Sequence, residues 1–186
     1  MSDDEVLHVA PTSAAPEPEL ISERPGGSET EALTEEQKRS NVLRLAFGND
    51  EAKFEEFRRS IQAAVPECER VVLRGSAVTG SRWRDGAPFD SAGPGTSDLD
   101  LTLIGEGPLK LYKLTGFFVP GVHSRPVSDE APDIAPDLIP LREKLMGIVG
   151  RPVNIQASRD IVIQFRGDLL GQPYYVLIDQ PTETLP

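Results

Sequence analysis

The chain is poor in the residues that build disulfides, membrane spans and nucleic-acid coats. One cysteine, Cys68, occurs in 186 residues. That excludes an internal disulfide and a cysteine-ligated metal centre, and it points to a reducing compartment, the cytoplasm. No run of about 18 apolar residues exists, so the sequence offers no membrane-spanning helix and no membrane partner is expected. Basic residues are outnumbered, 19 Lys and Arg against 30 Asp and Glu, for a net charge of −11. A protein that coats nucleic acid needs the opposite balance, because affinity for phosphate backbones comes from Lys and Arg. Histidine is scarce too. His8 falls in an acidic leading segment and His123 in a Pro-rich loop, and neither has the company of a metal or triad member.

What is present is ordinary globular material: 38% hydrophobic and 26% charged residues, at a length suited to one domain. The charge is unevenly placed. Residues 1–40 hold ten Asp or Glu against three Lys or Arg, which puts −7 of the −11 there. Pro11, Pro16, Pro18 and Pro25 interrupt any helix in that stretch. Too little apolar surface is available to offset the entropy of ordering it, so residues 1–33 are expected to be a disordered acidic tail. The stretch lacks the basic start and apolar core of a secretory signal.

Order is predicted from Thr34, where Thr34-Glu35-Glu36-Gln37 fits a capping box. A first helix should run to about Phe47 and stop at Gly48-Asn49-Asp50. A second carries Phe54, Phe57 and Ile61 on one face and is closed by Pro66. Val71-Val72-Leu73 reads as a buried strand leading into Gly75-Ser76. Residues 80–97, with Gly80, Gly86, Gly93, Gly95, Pro88 and Pro94, read as an extended loop or insertion. Asp98 to Ile104 is a second strand, sending Leu99, Leu101 and Leu103 to one face and Asp98, Asp100 and Thr102 to the other. Gly105-Glu106-Gly107-Pro108 reads as a turn. A helix is expected over Leu138–Val149, stopped by Gly150, and short strands over 152–157, 161–166 and 174–179. The sum is an α/β fold, with helices packed on a small mixed β-sheet over residues 34–186.

Two motifs carry chemistry. Asp98 and Asp100 sit at i and i+2 on a strand, so their carboxylates point the same way. Two like charges held that close repel, and one takes up a proton unless a cation lies between them. Carboxylate oxygens are the hard ligands that Mg²⁺ prefers, and a metal site can clamp the oxygens of a phosphoryl transfer. Gly75 lets backbone approach a phosphate closely, and Ser76 adds a hydroxyl donor. Each motif has a plain alternative: Asp-x-Asp protects exposed strand edges by charge, and Gly-Ser is a common turn. Their order, strand to Gly-Ser to loop to Asp-x-Asp to strand, favours the functional reading.

Leu73-Arg74-Gly75-Ser76-Ala77-Val78-Thr79-Gly80 followed by Thr96-Ser97-Asp98-Leu99-Asp100-Leu101-Thr102-Leu103 resembles the nucleotidyltransferase superfamily related to DNA polymerase beta. The resemblance covers roughly residues 50–160. It implies that Gly75 and Ser76 contact the phosphates of an NTP and that Asp98 and Asp100 ligate Mg²⁺. The implied activity is transfer of a nucleoside monophosphate from an NTP to a hydroxyl acceptor, which could be RNA, a protein hydroxyl or a small molecule.

The chain departs from that family in two places. Ser76 and Asp98 are 22 residues apart, a wider spacing than the family usually shows. The insertion carries Arg82, Trp83 and Arg84, which could cover phosphates or stack on a base. The family also places a third carboxylate on a later strand, and the matching stretch, Gly150-Arg151-Pro152-Val153-Asn154-Ile155-Gln156, puts Asn154 there. An amide oxygen can ligate a metal but cannot accept a proton from a nucleophile. Either Asp160 substitutes from nearby in sequence, or the chemistry needs only two carboxylates, or the domain binds nucleotide without turning it over. This departure raises the alternatives of a catalytically degenerate nucleotide-binding or protein-interaction module. Arg-Pro-Val-Asn is also similar to nucleotidyltransferase-like domains of bacterial polymorphic toxins, which implies a toxin effector. With 26 residues after Asp160, the chain reads as a minimal core whose site an acceptor or partner subunit completes. Arg74 has equal claims on phosphate and solvent, Lys110 and Lys113 suit a solvated helix face, and Cys68 suits the core.

Overall fold

Thr34 closes its helix in both directions: its hydroxyl accepts from the Gln37 amide at 3.2 Å, and its own amide donates to Gln37 Oε1 at 2.8 Å. In the computed structural model, which describes residues 32–180, this cap opens α1 (Glu35–Phe47). Gly48, at φ +63°, ends it in the left-handed conformation that a glycine adopts without strain. Asp50 then caps α2 (Glu51–Ala64) by accepting from the Lys53 amide. Phe54 and Phe57 of α2 each meet the Phe47 ring edge-on, with centroids 5.2 Å apart. Of the disordered acidic tail expected over residues 1–33, residues 1–31 lie outside the described residues, as does His8.

After α2 come β1 (Arg70–Arg74), the single turn α3 (Ser76–Thr79), β2 (Leu99–Ile104) and α4 (Glu106–Lys110). The Gly105–Pro108 segment, expected as a turn, thus opens a short helix. Two short strands follow, β3 (Phe117–Val119) and β4 (His123–Ser124), and then α5 (Ile139–Val149), β5 (Val153–Ser158), α6 (Asp160–Asp168) and β6 (Tyr175–Asp179). The strands form one six-stranded mixed sheet in the order β3-β4-β5-β2-β1-β6. β1 is antiparallel to β2 and β6, and β2 is parallel to β5.

Alternation along the three central strands divides the sheet into two unlike faces. One face presents Val71, Leu73, Leu99, Leu101, Leu103 and Ile155, which join apolar side chains of α1, α2 and α5 in the main core. The other face is partly polar, and Thr102, Gln156 and Ser158 are buried on it. A small second core there consists of Val72, Ile104 and Ile163, with Tyr174 and Val176 packed beside them.

The strand expected over 161–166 is instead helix α6. Its β-branched run Ile161-Val162-Ile163 suits a strand, but the chain must cross β2 and β1 to travel from β5 to β6. A helix makes that crossing with its backbone hydrogen bonds satisfied internally. Only Ile163 of α6 is buried, while Asp160 at the helix start pairs with Arg70 Nη1 at 2.9 Å and accepts from Gln164. Among the described residues, no helix is long and apolar enough to cross a membrane.

Candidate functional site

β2 lies inside the sheet, hydrogen-bonded to β1 on one side and β5 on the other. The Asp-x-Asp pair therefore does not protect an exposed strand edge. Strand register sets Arg74 opposite Asp100, and Asp100 beside Asn154. These three residues form one row on the partly polar face, at the end of the sheet where β1 gives way to Gly75 and Ser76. Asp98, just before β2, is exposed and reaches the same place. Asn154 Nδ2 donates to Asp98 Oδ2 and, at 3.4 Å, to Asp100 Oδ1. The amide thus stands between the two carboxylates, where a cation would relieve their repulsion.

Gly75 is part of the same arrangement. A Cβ built on it would lie 2.9 Å from Asp100 Oδ2, and its φ of +76° is one that other L-residues rarely adopt. Glycine here gives the Asp100 carboxylate its space. The Gly75 carbonyl accepts from the Val78 amide, starting the one-turn α3, and Ser76 Oγ has no hydrogen-bond partner among the described residues. Burial, and then the charge of Asp98, push the Asp100 carboxyl above its ordinary pKa, against the pull of Arg74, Asn154 and Arg166.

Among the described residues, no three carboxylate, imidazole or thiol groups gather as a metal site. The donors here are two carboxylates and one amide. All are hard oxygen ligands if Asn154 turns its Oδ1 inward, and that set suits a divalent cation such as Mg²⁺. Asp160, the substitute nearest in sequence, lies beside Arg70, four residues and about 13 Å along β1 from Arg74. It does not reach the Asp100 row. Lys110 and Lys113 follow β2 at its opposite end, also away from the row.

Asp90 and Arg151, the latter read above only as part of Arg-Pro-Val-Asn, fix this geometry. Arg151 clasps Asp90 with a fork, Nη1 to Oδ1 at 2.9 Å and Nη2 to Oδ2 at 3.2 Å, and also donates to the carbonyls of Ser97 and Leu45. Its guanidinium lies over the Phe89 ring at 4.6 Å. Asp90 in turn accepts from the amides of Gly95 and Ser97. Burial would raise the Asp90 pKa, but donation from Arg151 and from those amides outweighs it and holds the carboxyl at about 2. The 80–97 insertion is therefore tied down, and its last residues dock beside the start of β5, where the Leu99 amide donates to the Pro152 carbonyl. That docking sets Asp98 against Asn154. No local signal could have found this pair, since 61 residues separate its members.

Arg82, Trp83 and Arg84 are exposed on the outer part of the insertion, and both arginines lie near Asp85. His123 belongs to β4, stacked on Phe118 and hydrogen-bonded to Ser158 Oγ. Burial, with Arg74 and Arg166 nearby, lowers its pKa to about 4. Cys68 is buried, and its thiol is pushed up to about 11, chiefly by burial. Comparison of the chain with family models, curated proteins and solved structures finds no match.

Proposed function

We propose that the protein is a metal-dependent nucleotidyltransferase, moving a nucleoside monophosphate from an NTP to a hydroxyl acceptor with release of pyrophosphate. The observation that carries this reading is the convergence of Asp98, Asp100, Asn154 and the side-chain-free Gly75 at one end of the sheet. A strand edge or a plain turn has no need for a glycine fitted against a carboxylate. Asp98 and Asp100 would hold Mg²⁺, with the Asn154 amide rotated to offer its oxygen. Bound there, the ion supplies charge neutralisation for phosphoryl transfer. Gly75 admits the phosphate chain, and Ser76 Oγ is free to donate to it. The residues then act by positioning, which suits a reaction with little covalent work for the protein. The free buried thiol of Cys68 fits a cytoplasmic setting. The acceptor is RNA, a protein hydroxyl or a small molecule, with a partner subunit completing its side of the site.

A second reading, a nucleotide-binding or interaction module without turnover, is favoured by Asn154. An amide adds no charge to the site and cannot take the proton of an attacking hydroxyl. Incubation with α-labelled NTPs, Mg²⁺ and candidate acceptors separates the two. The transferase forms labelled product and pyrophosphate, and Asp100→Asn abolishes both. A module binds NTP and forms neither.

A further inference from the structure

The partly polar sheet face carries two arginines whose side chains donate to neutral groups, while Asp100 acts on both from beyond ion-pair distance. Arg74 Nε donates to Thr102 Oγ1 at 3.1 Å and its Nη2 to Gln156 Oε1, both neutral acceptors. Gln156 is held in turn, donating to the Ser124 carbonyl at 3.3 Å. Arg74 Nη1 has no acceptor among the described residues. Arg166 Nε donates to Gln172 Oε1 at 3.0 Å, again a neutral group. Among the described residues, neither guanidinium forms an ion pair.

Two anchors bring the two together. Asp160 of α6 is fixed over Arg70, and Ile163 packs on Val72 and Ile104, so the helix runs along β1. Arg166 comes three residues after Ile163, on the same side of the helix. It therefore extends over the end of β1 that carries Arg74. The two charges act on each other there, and Asp100, opposite Arg74 in the strand register, acts on both. Arg70, whose positive charge is matched by Asp160 and Asp179, shows how this sheet face treats an arginine it needs only for structure.

We propose that Arg74 and Arg166 form a cationic cradle for the polyphosphate chain of the ligand, beside the Asp98–Asp100 carboxylates. Guanidinium groups present paired N–H donors that match phosphate oxygens. A chain of two or three phosphates can bridge the row from the carboxylate end, where the metal would sit, to the arginine end. Arg74 forms the floor of the cradle and α6 carries its outer wall. Sequence reading left Arg74 between phosphate and solvent, and Arg166 escaped notice because its segment reads as a strand. The identity of the ligand as a nucleotide rests on the transferase reading, but the cradle itself requires only phosphate.

The test is calorimetric titration of the full chain with inorganic tripolyphosphate in EDTA, which removes the metal from the question. Wild type should bind it, and Arg166→Gln should bind at least tenfold more weakly. Arg166→Lys, which keeps the charge without the fork, should fall between them. Thermal melts confirm that each variant is folded, and Arg166 is partly exposed on a surface helix, so its replacement leaves the core intact. Unchanged affinity in Arg166→Gln, or no binding by wild type, overturns the cradle. Neither result bears on the metal-dependent transfer assay, whose failure would overturn the transferase reading instead.

Discussion

At the scale of single residues, the site depends on Gly75 and Asn154. Gly75→Ala places a methyl group 2.9 Å from Asp100 Oδ2 in a backbone conformation unsuited to it, at a cost of about 1–2 kcal/mol. The fold should survive as a modest drop in melting temperature, while Mg²⁺-dependent NTP binding measured by calorimetry is lost. Binding at wild-type strength would show that the glycine is only a turn residue. Asn154→Asp replaces the amide that joins the two carboxylates with a third negative charge. In EDTA this variant should be less stable than wild type by about 1–3 kcal/mol. Mg²⁺ should raise its melting temperature more than that of wild type. An equal response to Mg²⁺ in the two proteins would argue that no cation binds among these residues. Gly75, Ser76, Asp98 and Asp100 were legible in the sequence because spacing within a turn or strand fixes where a side chain points. The position of Asn154 followed from the family resemblance, and strand register brings it beside Asp100.

The elements differ in how far local sequence determines them. Thr34, Gly48, Asp50 and Gly150 mark helix ends through contacts made within a few residues, and those boundaries are readable. β3 and β4 are too short to leave a period and exist by pairing in the sheet. α6 was misread because its β-branched run favours a strand, whereas its helical state is set by Arg70, Val72 and Ile104, distant in sequence. One buried side chain holds it, so Ile163→Ala should cost about 2–4 kcal/mol. In the same variant, hydrogen exchange should rise in α6 before it rises in β1 or β2. Uniform exchange across the three elements would contradict this attachment.

The 80–97 insertion depends likewise on Asp90 and Arg151, whose side chains retain 21% and 9% of their exposure. Asp90 has a folded pKa of about 2, below its unfolded value. Its contribution is therefore complete above about pH 4 and lost as the pH falls from there towards 2. After allowance for solvent screening it amounts to about 1–2 kcal/mol. The difference between denaturant melts of wild type and Asp90→Asn should be full at pH 6 and shrink steadily as the pH falls from 4 towards 2. A constant difference over that range would remove Asp90 as its source.

For the whole molecule, two faces of one sheet divide the work. Val71, Leu73, Leu101 and Ile155 supply the core, and the residues alternating with them supply the row of Arg74, Asp100 and Asn154. The fold class followed from patterning, because alternation and helical spacing are properties of the chain itself. The polar face as a continuous surface did not, because three strands and α6 build it from segments far apart in sequence. The central claim is that this face binds an NTP through a metal held by Asp98 and Asp100. The most direct measurement is calorimetric titration of the full chain with each of the four NTPs, with and without Mg²⁺, alongside Asp98→Ala. The account predicts micromolar binding of at least one NTP that strengthens with Mg²⁺ and loses that Mg²⁺ dependence in the variant. Affinity indifferent to Mg²⁺, or unchanged in Asp98→Ala, would contradict it.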